Sequence, residues 1–563
     1  MEKINLYIEN NKQFFQCDPG MSLSELSNMV SPGCKYPVLA ALEDNMLKEL
    51  SEKVYTSHTI EFVDYTHPDG RRTYVRSLCF LLQRAVSLLY PDITLFIDYA
   101  LPNGMYGELR RREANGSYTT VPAGADTIAA LLNKMKEMVK EDIPFVKEKM
   151  ENSKAAELFR ANGQFEKSDI VSSMEKFFVS VYSLGDSKDT FYGPLLPSTG
   201  CLTLFDLIPY HRGFCLQSPS ANDPEKISEY RYQDKLSEAL RESTQWNSIL
   251  GANGIASVNS VVNNGNANML IALSESLHER KYAAIADMIH QRKSVKLVLI
   301  AGPSSSGKTT TSMRIALQCK VLGLNPKVIA MDDYFVDREH TPLDENGEYD
   351  FESIYALDLP FLSEQLNMLF DGVEVELPKF DFKLGKRVPS GVTMKMGPDD
   401  ILIMEGIHAL NPELTKHIDS SKVFRVFASA LTSLSIDENN YISTADNRML
   451  RRMVRDNSNR GVSPESTILR WASVRRGEEK NIFPFQENAD VIFNSSLLFE
   501  LPLLKYYAEP LLNKIPPLSP AYSESVRMLK FLSYITPLTP EDIRVIPPTS
   551  IMREFIGGST FKY

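Results

Sequence analysis

Apolar residues along this chain change their period several times, and each change marks a change of architecture. Residues 1–65 carry short apolar strands at 4–8, 37–42 and 59–63 around one helix at 23–29, the pattern of a small α+β unit of the β-grasp kind. From Thr73 the apolar positions fall at helical spacing, Leu78, Leu81, Leu82, Ala85, Val86 and Leu89, and Pro91 ends the run. A short strand, the turn Pro102-Asn103-Gly104 and a helical stretch over 126–149 follow, with Ile128, Leu131, Leu132, Met135 and Met138 on one face. The polar segment 218–232, with two prolines, reads as a boundary. A helix over 234–248, a Gly/Asn-rich segment over 251–268 and a long helix to Arg292 come next. The Gly/Asn-rich segment reads equally as a flexible connection or as a loop covering an active site. Continuous apolar runs then appear at 297–301, 326–331 and 401–404, as expected of strands buried on both faces of a parallel sheet.

These shifts divide the chain into units 1–65, 66–220, 221–294, 295–496 and 497–563. The last has helical segments at 498–512 and 526–535 separated by prolines, and its end, IMREFIGGSTFKY, reads as either a docked arm or a frayed tail. With 563 residues, 43% hydrophobic and 24% charged, the composition is globular. A net charge of −11 argues against broad binding to nucleic acid or anionic membrane, which needs a basic surface. Six cysteines without a C-x-x-C pair, no signal peptide and no apolar run of roughly 18 residues imply a reducing compartment, a cytoplasmic location and no membrane partner.

Chemistry concentrates after the first of the buried strands. Gly302-Pro303-Ser304-Ser305-Ser306-Gly307-Lys308-Thr309 fits the phosphate-cradling pattern G-x-x-x-x-G-K-[ST], with Thr310 continuing into a helix. The glycines permit a loop whose N–H groups turn onto phosphate oxygens, Lys308 supplies a mobile charge, and Thr309 a hydroxyl for Mg²⁺. The next strand ends in Asp332-Asp333-Tyr334, where an aspartate can take a proton from a hydroxyl nucleophile. The strand over 401–404 delivers Glu405 toward the metal, with Gly406 behind it. Arg448, Arg451, Arg452 and Arg455 recur at spacings of three and four, followed by Arg460. Like charges so arranged repel unless an anion compensates, and a triphosphate under a closing lid would do so.

In order, GPSSSGKTT, MDDYF, YDFES, LPKFDF, ILIMEGI, RRMVRDNSNRG and ADVIFN resemble the blocks of the uridine/cytidine kinase and phosphoribulokinase group of P-loop kinases. The resemblance implies an α/β P-loop kinase domain, a parallel sheet with helices on both faces. It also implies a catalytic base at Asp332 and catalytic roles for Lys308, Arg455 and Arg460. ATP would be held by residues 302–310 and Arg452, and Mg²⁺ by Thr309 and Glu405. Asp332, Tyr334, Asp350, Glu352, Phe380, Asp381 and Arg387 fall at substrate positions, with the register between Asp350 and Glu352 open. The match departs at Phe380, Gly385 and Val462, where the family carries groups that read the nucleobase and phosphate. A site that loses such groups changes the substrate it accepts.

Residues 1–215 are similar to the N-terminal TGS and editing-type domains of threonyl-tRNA synthetases, the second an α+β fold. The segment His67-Pro68-Asp69-Gly70, a helix ending Leu-Tyr-Pro and the turn at 102–104 carry that resemblance. The family's metal-bearing hydrolytic positions correspond to Phe80, Arg84, Phe191 and Leu195, none of which offers zinc a lone pair. The implied inheritance is fold without editing activity.

The reading that results is an ATP- and Mg²⁺-dependent nucleoside kinase acting on a small-molecule nucleoside in pyrimidine salvage, a homo-oligomer by analogy with related kinases. The alternatives are a kinase of another hydroxyl compound such as a sugar phosphate, with Arg387 as the spare cation, or a nucleotide-dependent RNA-binding regulator of translation gripping nucleic acid through residues 1–220.

Overall fold

The computed structural model describes residues 3–562 apart from 103, 222, 228, 231, 344–346, 348 and 382. The expected turn residue Asn103, the linker positions Asn222, Ser228 and Arg231, Phe382 of the LPKFDF block and the terminal Tyr563 therefore lie outside the described residues.

At the N-terminal end, strands Ile4–Ile8 and Thr59–Val63 pair in parallel at the centre of a five-stranded sheet. Gln13–Cys17 lies at one edge, and Ala40–Glu43 and Met46–Lys48 on the other side. The helix Leu23–Val30 packs on this sheet through Leu23 and Leu26 and starts at a capping box between Ser22 and Glu25.

The following helix begins earlier than its apolar spacing predicts, at Pro68–Leu89. The ring of His67 accepts from the Asp69 N–H at 3.2 Å, and Pro68 takes the first helical position, where its missing donor costs nothing. Phe80 is fully buried with its ring 5.5 Å from Phe191, and Leu195 joins the same apolar cluster. Arg84 donates to the Leu184 carbonyl. Of the positions where the synthetase resemblance would call for metal ligands, Phe80, Phe191 and Leu195 thus serve the core and Arg84 a backbone carbonyl.

The helical stretch expected over 126–149 is two elements. The helix Ala125–Glu141 stops at Asp142 in the left-handed region, and Phe145–Glu151 pairs antiparallel with Phe178–Leu184. Pairing with that partner strand overrides the high helix propensity of FVKEKME, whose burial shows no alternation to read from sequence. The Gly/Asn-rich segment is likewise ordered. The helix Ile255–Asn263 buries Ile255, Val258 and Val262, and Asn259 exchanges hydrogen bonds with the backbone of Tyr534 and Thr536.

Five parallel strands form the C-terminal sheet, in the order Asn325–Ala330, Asp400–Glu405, Leu297–Ala301, Val423–Ser429, Val491–Asn494. Leu297–Ala301 is central and buried throughout, which is why its sequence is continuously apolar. A hairpin of Val375–Asp381 and Lys386–Met394 stands beside this sheet.

One apolar core joins residues from Ala155 to Phe555, including the helix carrying the arginine run and the C-terminal helices. Another junction is polar. The loop Asp437-Glu438-Asn439-Asn440 is buried against the N-terminal half, where Ile97 N donates to the Glu438 carbonyl at 2.9 Å. Lys167 is fully buried between Asp189 and Asn439. The C-terminal end is a docked arm, with Ile551, Met552 and Phe555 fully buried. No helix among the described residues is long and apolar enough to cross a membrane.

Candidate active site

Between strand Leu297–Ala301 and helix Lys308–Val321 the backbone turns through Ser305 and Gly307, at φ of 58° and 81°. A Cβ on Gly302 would stand 2.0 Å from the Ala428 carbonyl oxygen, so that glycine is sterically required, while Gly307 is required by its φ of 81° and has Cδ1 of Ile551 packed 2.2 Å from where a Cβ would stand. Lys308 Nζ folds back to donate to the Pro303 carbonyl at 3.2 Å. Thr309 Oγ1 donates to Glu405 Oε1 at 2.9 Å, which joins the two residues expected to serve a metal. Burial raises the Glu405 carboxyl above the ordinary range; Lys308 opposes that shift and Asp332 adds to it.

The paired aspartates divide their roles. Asp333 Oδ1 accepts from the Phe380 N–H at 3.1 Å and so ties the strand end to the hairpin. The Asp332 carboxylate has no hydrogen-bond partner among the described residues and reaches solvent. Its carboxyl is raised, first because protein surrounds the cleft around it and further by Asp333, while Lys308 and Arg460 pull the other way. A free carboxylate flanked by two cations at a strand's carboxyl end is the arrangement a proton acceptor needs.

Several expected substrate positions are committed elsewhere. Tyr334 is fully buried, and its hydroxyl donates to Gln365 Oε1 at 2.9 Å, so it belongs to the core and not to the cleft. Asp381 accepts from the N–H groups of Lys383 and Leu384 at 2.8 and 3.0 Å and holds the hairpin turn. Arg387 donates to Asp358 at 2.9 Å and to the Phe335 carbonyl at 3.3 Å, with its guanidinium over the Phe361 ring. It is no spare cation. The Phe380 ring is nearly buried, 5.7 Å from Phe335.

Of the two acidic candidates, Asp350 accepts from the Glu352 N–H at 3.1 Å. Glu352 is pushed up to about 7 by burial and by Glu478, against the pull of Arg452 and Lys308. Those neighbours put Glu352 at the phosphate end of the cleft. Gly477 faces it closely enough that a Cβ there would stand 2.9 Å from Glu352 Cγ.

The arginine run also separates into two sets. Arg448 forms a fully buried pair with Glu478 and donates to the Ser304 carbonyl at 3.0 Å. Arg451 pairs with Glu500, neither reaching solvent, and donates to Ser495. Both are compensated by carboxylates of the chain, not by a bound anion, because a buried guanidinium must be paired in the folded state itself. Arg452, Arg455 and Arg460 gather around Asp456 at 3.3, 2.9 and 3.7 Å, and Arg452 also donates to Ser304 Oγ at 3.0 Å. This second set is half-buried or exposed, and Arg452 is the member whose contact reaches the loop.

Sequence spacing did not reveal Glu478, Glu500 or Glu554. Glu478 accepts from the Ser304 N–H at 3.0 Å, and Glu554 from the Thr310 N–H at 3.3 Å and its hydroxyl at 2.7 Å. No motif links residues so distant in sequence. A carboxylate three residues after an arginine in RRGEE was the one local hint.

Residues 297–497 match the family model described as Phosphoribulokinase / Uridine kinase family. A uridine kinase of Staphylococcus aureus (strain JH9) is 33% identical over 202 residues, 36% of this chain and 87% of the relative. Among solved structures, one described as a possible uridine kinase from Bacillus stearothermophilus is 22% identical, covering 35% of this chain and 88% of that one with a TM-score of 0.24. D-glycerate 3-kinase from Cryptococcus neoformans is 14% identical, covering 45% and 87%, with a TM-score of 0.22.

Proposed function

Because the chain belongs to the phosphoribulokinase / uridine kinase family through residues 297–497, and is thereby a phosphotransferase acting on a hydroxyl group, we propose that it transfers the γ-phosphoryl of ATP to the 5′-hydroxyl of a uridine- or cytidine-like nucleoside. The observation that carries this reading is Asp332: a carboxylate with no internal partner, set between Lys308 and Arg460 at the end of the strand beside the P-loop strand's neighbour.

In this reading Asp332 accepts the hydroxyl proton as the oxygen attacks in line. Lys308 leaves the Pro303 carbonyl for the phosphates, and Arg452, Arg455 and Arg460 meet the charge that develops on the transferring group. Thr309 and Glu405 present a hydroxyl and a carboxylate oxygen side by side, hard donors that suit Mg²⁺. When bound there, that ion would neutralise charge on the nucleotide's phosphates.

The sugar-phosphate alternative rested on Arg387 as a free cation, and the Asp358 and Phe335 contacts remove that support. The test is ADP release by purified protein with ATP, Mg²⁺ and a panel of nucleosides and phosphorylated sugars. Stimulation by pyrimidine nucleosides that Asp332→Asn abolishes is the expected result. Stimulation by none of the nucleosides would overturn the assignment.

A further inference from the structure

The C-terminal arm ends against the loop that cradles phosphate. Glu554 is nearly buried, and its carboxylate accepts from both the backbone N–H and the hydroxyl of Thr310. Thr310 is the third residue of helix Lys308–Val321 and so lies in its first turn, where backbone N–H groups point out of the helix end. Such N–H groups, with the helix dipole behind them, are what a P-loop offers to phosphate oxygens. On the other side of the turn, Ile551 packs directly on Gly307.

Two features separate Glu554 from the other carboxylate on this loop. Glu478 also accepts from a loop N–H, that of Ser304, but it is neutralised by Arg448 and Arg475 and belongs to the permanent scaffold. Glu554 forms no ion pair among the described residues. Its charge also disfavours ionisation of the nearby Glu405. Arg460 feels the Glu554 charge without closing an ion pair, and the helix N-terminus offsets the rest of the cost of burying that carboxylate. The hydrogen bonds that hold Glu554 thus come from the loop's own anion-binding groups.

The arm keeps it there from behind. Arg553 donates to the carbonyls of Ile543 and Ile546, Arg314 of the P-loop helix donates to the Thr549 carbonyl, and Arg451 lies 5.0 Å from the Phe555 ring centre. Resting on the proposed nucleotide-binding role of this loop, we infer that Glu554 is an intramolecular competitor for a phosphate seat and thereby a determinant of nucleotide affinity. A nucleotide phosphate and the Glu554 carboxylate cannot share the Thr310 N–H, so binding displaces the side chain and loosens the arm.

The experiment measures ADP binding by calorimetry on the full chain for the native protein, Glu554→Gln, Glu554→Ala and Lys308→Ala, with melting temperatures recorded for each. A charge-assisted hydrogen bond removed from the competing state predicts binding about tenfold tighter in Glu554→Gln. Hydrogen exchange on the native protein gives a second readout that needs no variant, with faster exchange expected at residues 551–556 when ADP is bound. Unchanged or weaker ADP binding in a folded Glu554→Gln, or slower exchange of the arm with ADP, overturns the inference. Absence of ADP binding in every protein, native included, instead overturns the nucleotide-binding reading on which it rests, whereas loss in Lys308→Ala alone supports that reading.

Discussion

Arg451 and Glu500 form an ion pair from which solvent is wholly excluded, and through it the helix Thr444–Arg460 is fastened beneath the phosphate loop. Arg451 also donates to the Ser495 carbonyl, and Ser495 Oγ donates to the Ser306 carbonyl at 2.6 Å. Removing one partner leaves the other charge buried and alone. Arg451→Met or Glu500→Gln is expected to cost about 3–5 kcal/mol in urea unfolding. The double variant should cost less than the sum of the two, because it leaves no orphan charge.

Asp332 and Asp333 are adjacent but should fail differently. Asp332→Asn is expected to lower turnover by roughly 10²–10⁴ with the melting temperature unchanged, since it breaks no internal hydrogen bond. Asp333→Asn should lower stability by about 1 kcal/mol through the Phe380 N–H, and reduce activity only as the hairpin shifts. Steady-state kinetics beside thermal melts separate the two, and equal effects would contradict the division of roles.

Glu352 gives a pH signature. Its carboxyl lies at about 7 in the folded protein against an ordinary value of 4.5, raised first by burial and then by Glu478. The folded state therefore holds this proton where the unfolded chain has lost it. The stability it contributes is present below pH 4.5 and is lost as pH rises through about 7. Glu352→Gln should accordingly melt higher than the native protein at pH 8, with the gain shrinking toward pH 5. A gain independent of pH would rule out titration of this group as the cause.

Thr309 and Glu405 offer a test of the metal site. Glu405→Gln keeps the shape but removes the charge, so nucleotide binding in Mg²⁺ should fall to the level seen with a chelator. Binding in the chelator itself should change little. Isothermal titration in both conditions reads the difference.

Much of the catalytic half is legible from local sequence because its chemistry is carried by neighbours in the chain. Gly302, Gly307, Lys308 and Thr309 lie within one loop, and Asp332 and Glu405 each follow an apolar run that could only be a buried strand. The stretch over 126–149 reads as one helix because residues after Asp142 have helix-forming composition, and their strand conformation depends on pairing with Phe178–Leu184 further along the chain. The Gly/Asn-rich segment reads as a flexible connection or a covering loop because nothing local signals that Asn259 binds the backbone at Tyr534.

The sequence by itself determined the P-loop, the strand-end acids and a concentration of arginines, since these depend on residue type and short spacing. Only the tertiary structure decided which groups were already satisfied. It assigned Arg448 and Arg451 to Glu478 and Glu500, turned Tyr334 into the core, engaged Arg387 with Asp358 and brought Glu554 onto Thr310. The physical reason is that a charge or hydroxyl is free for function only when folding leaves it without a partner, and those partners come from helices and strands far away in the chain.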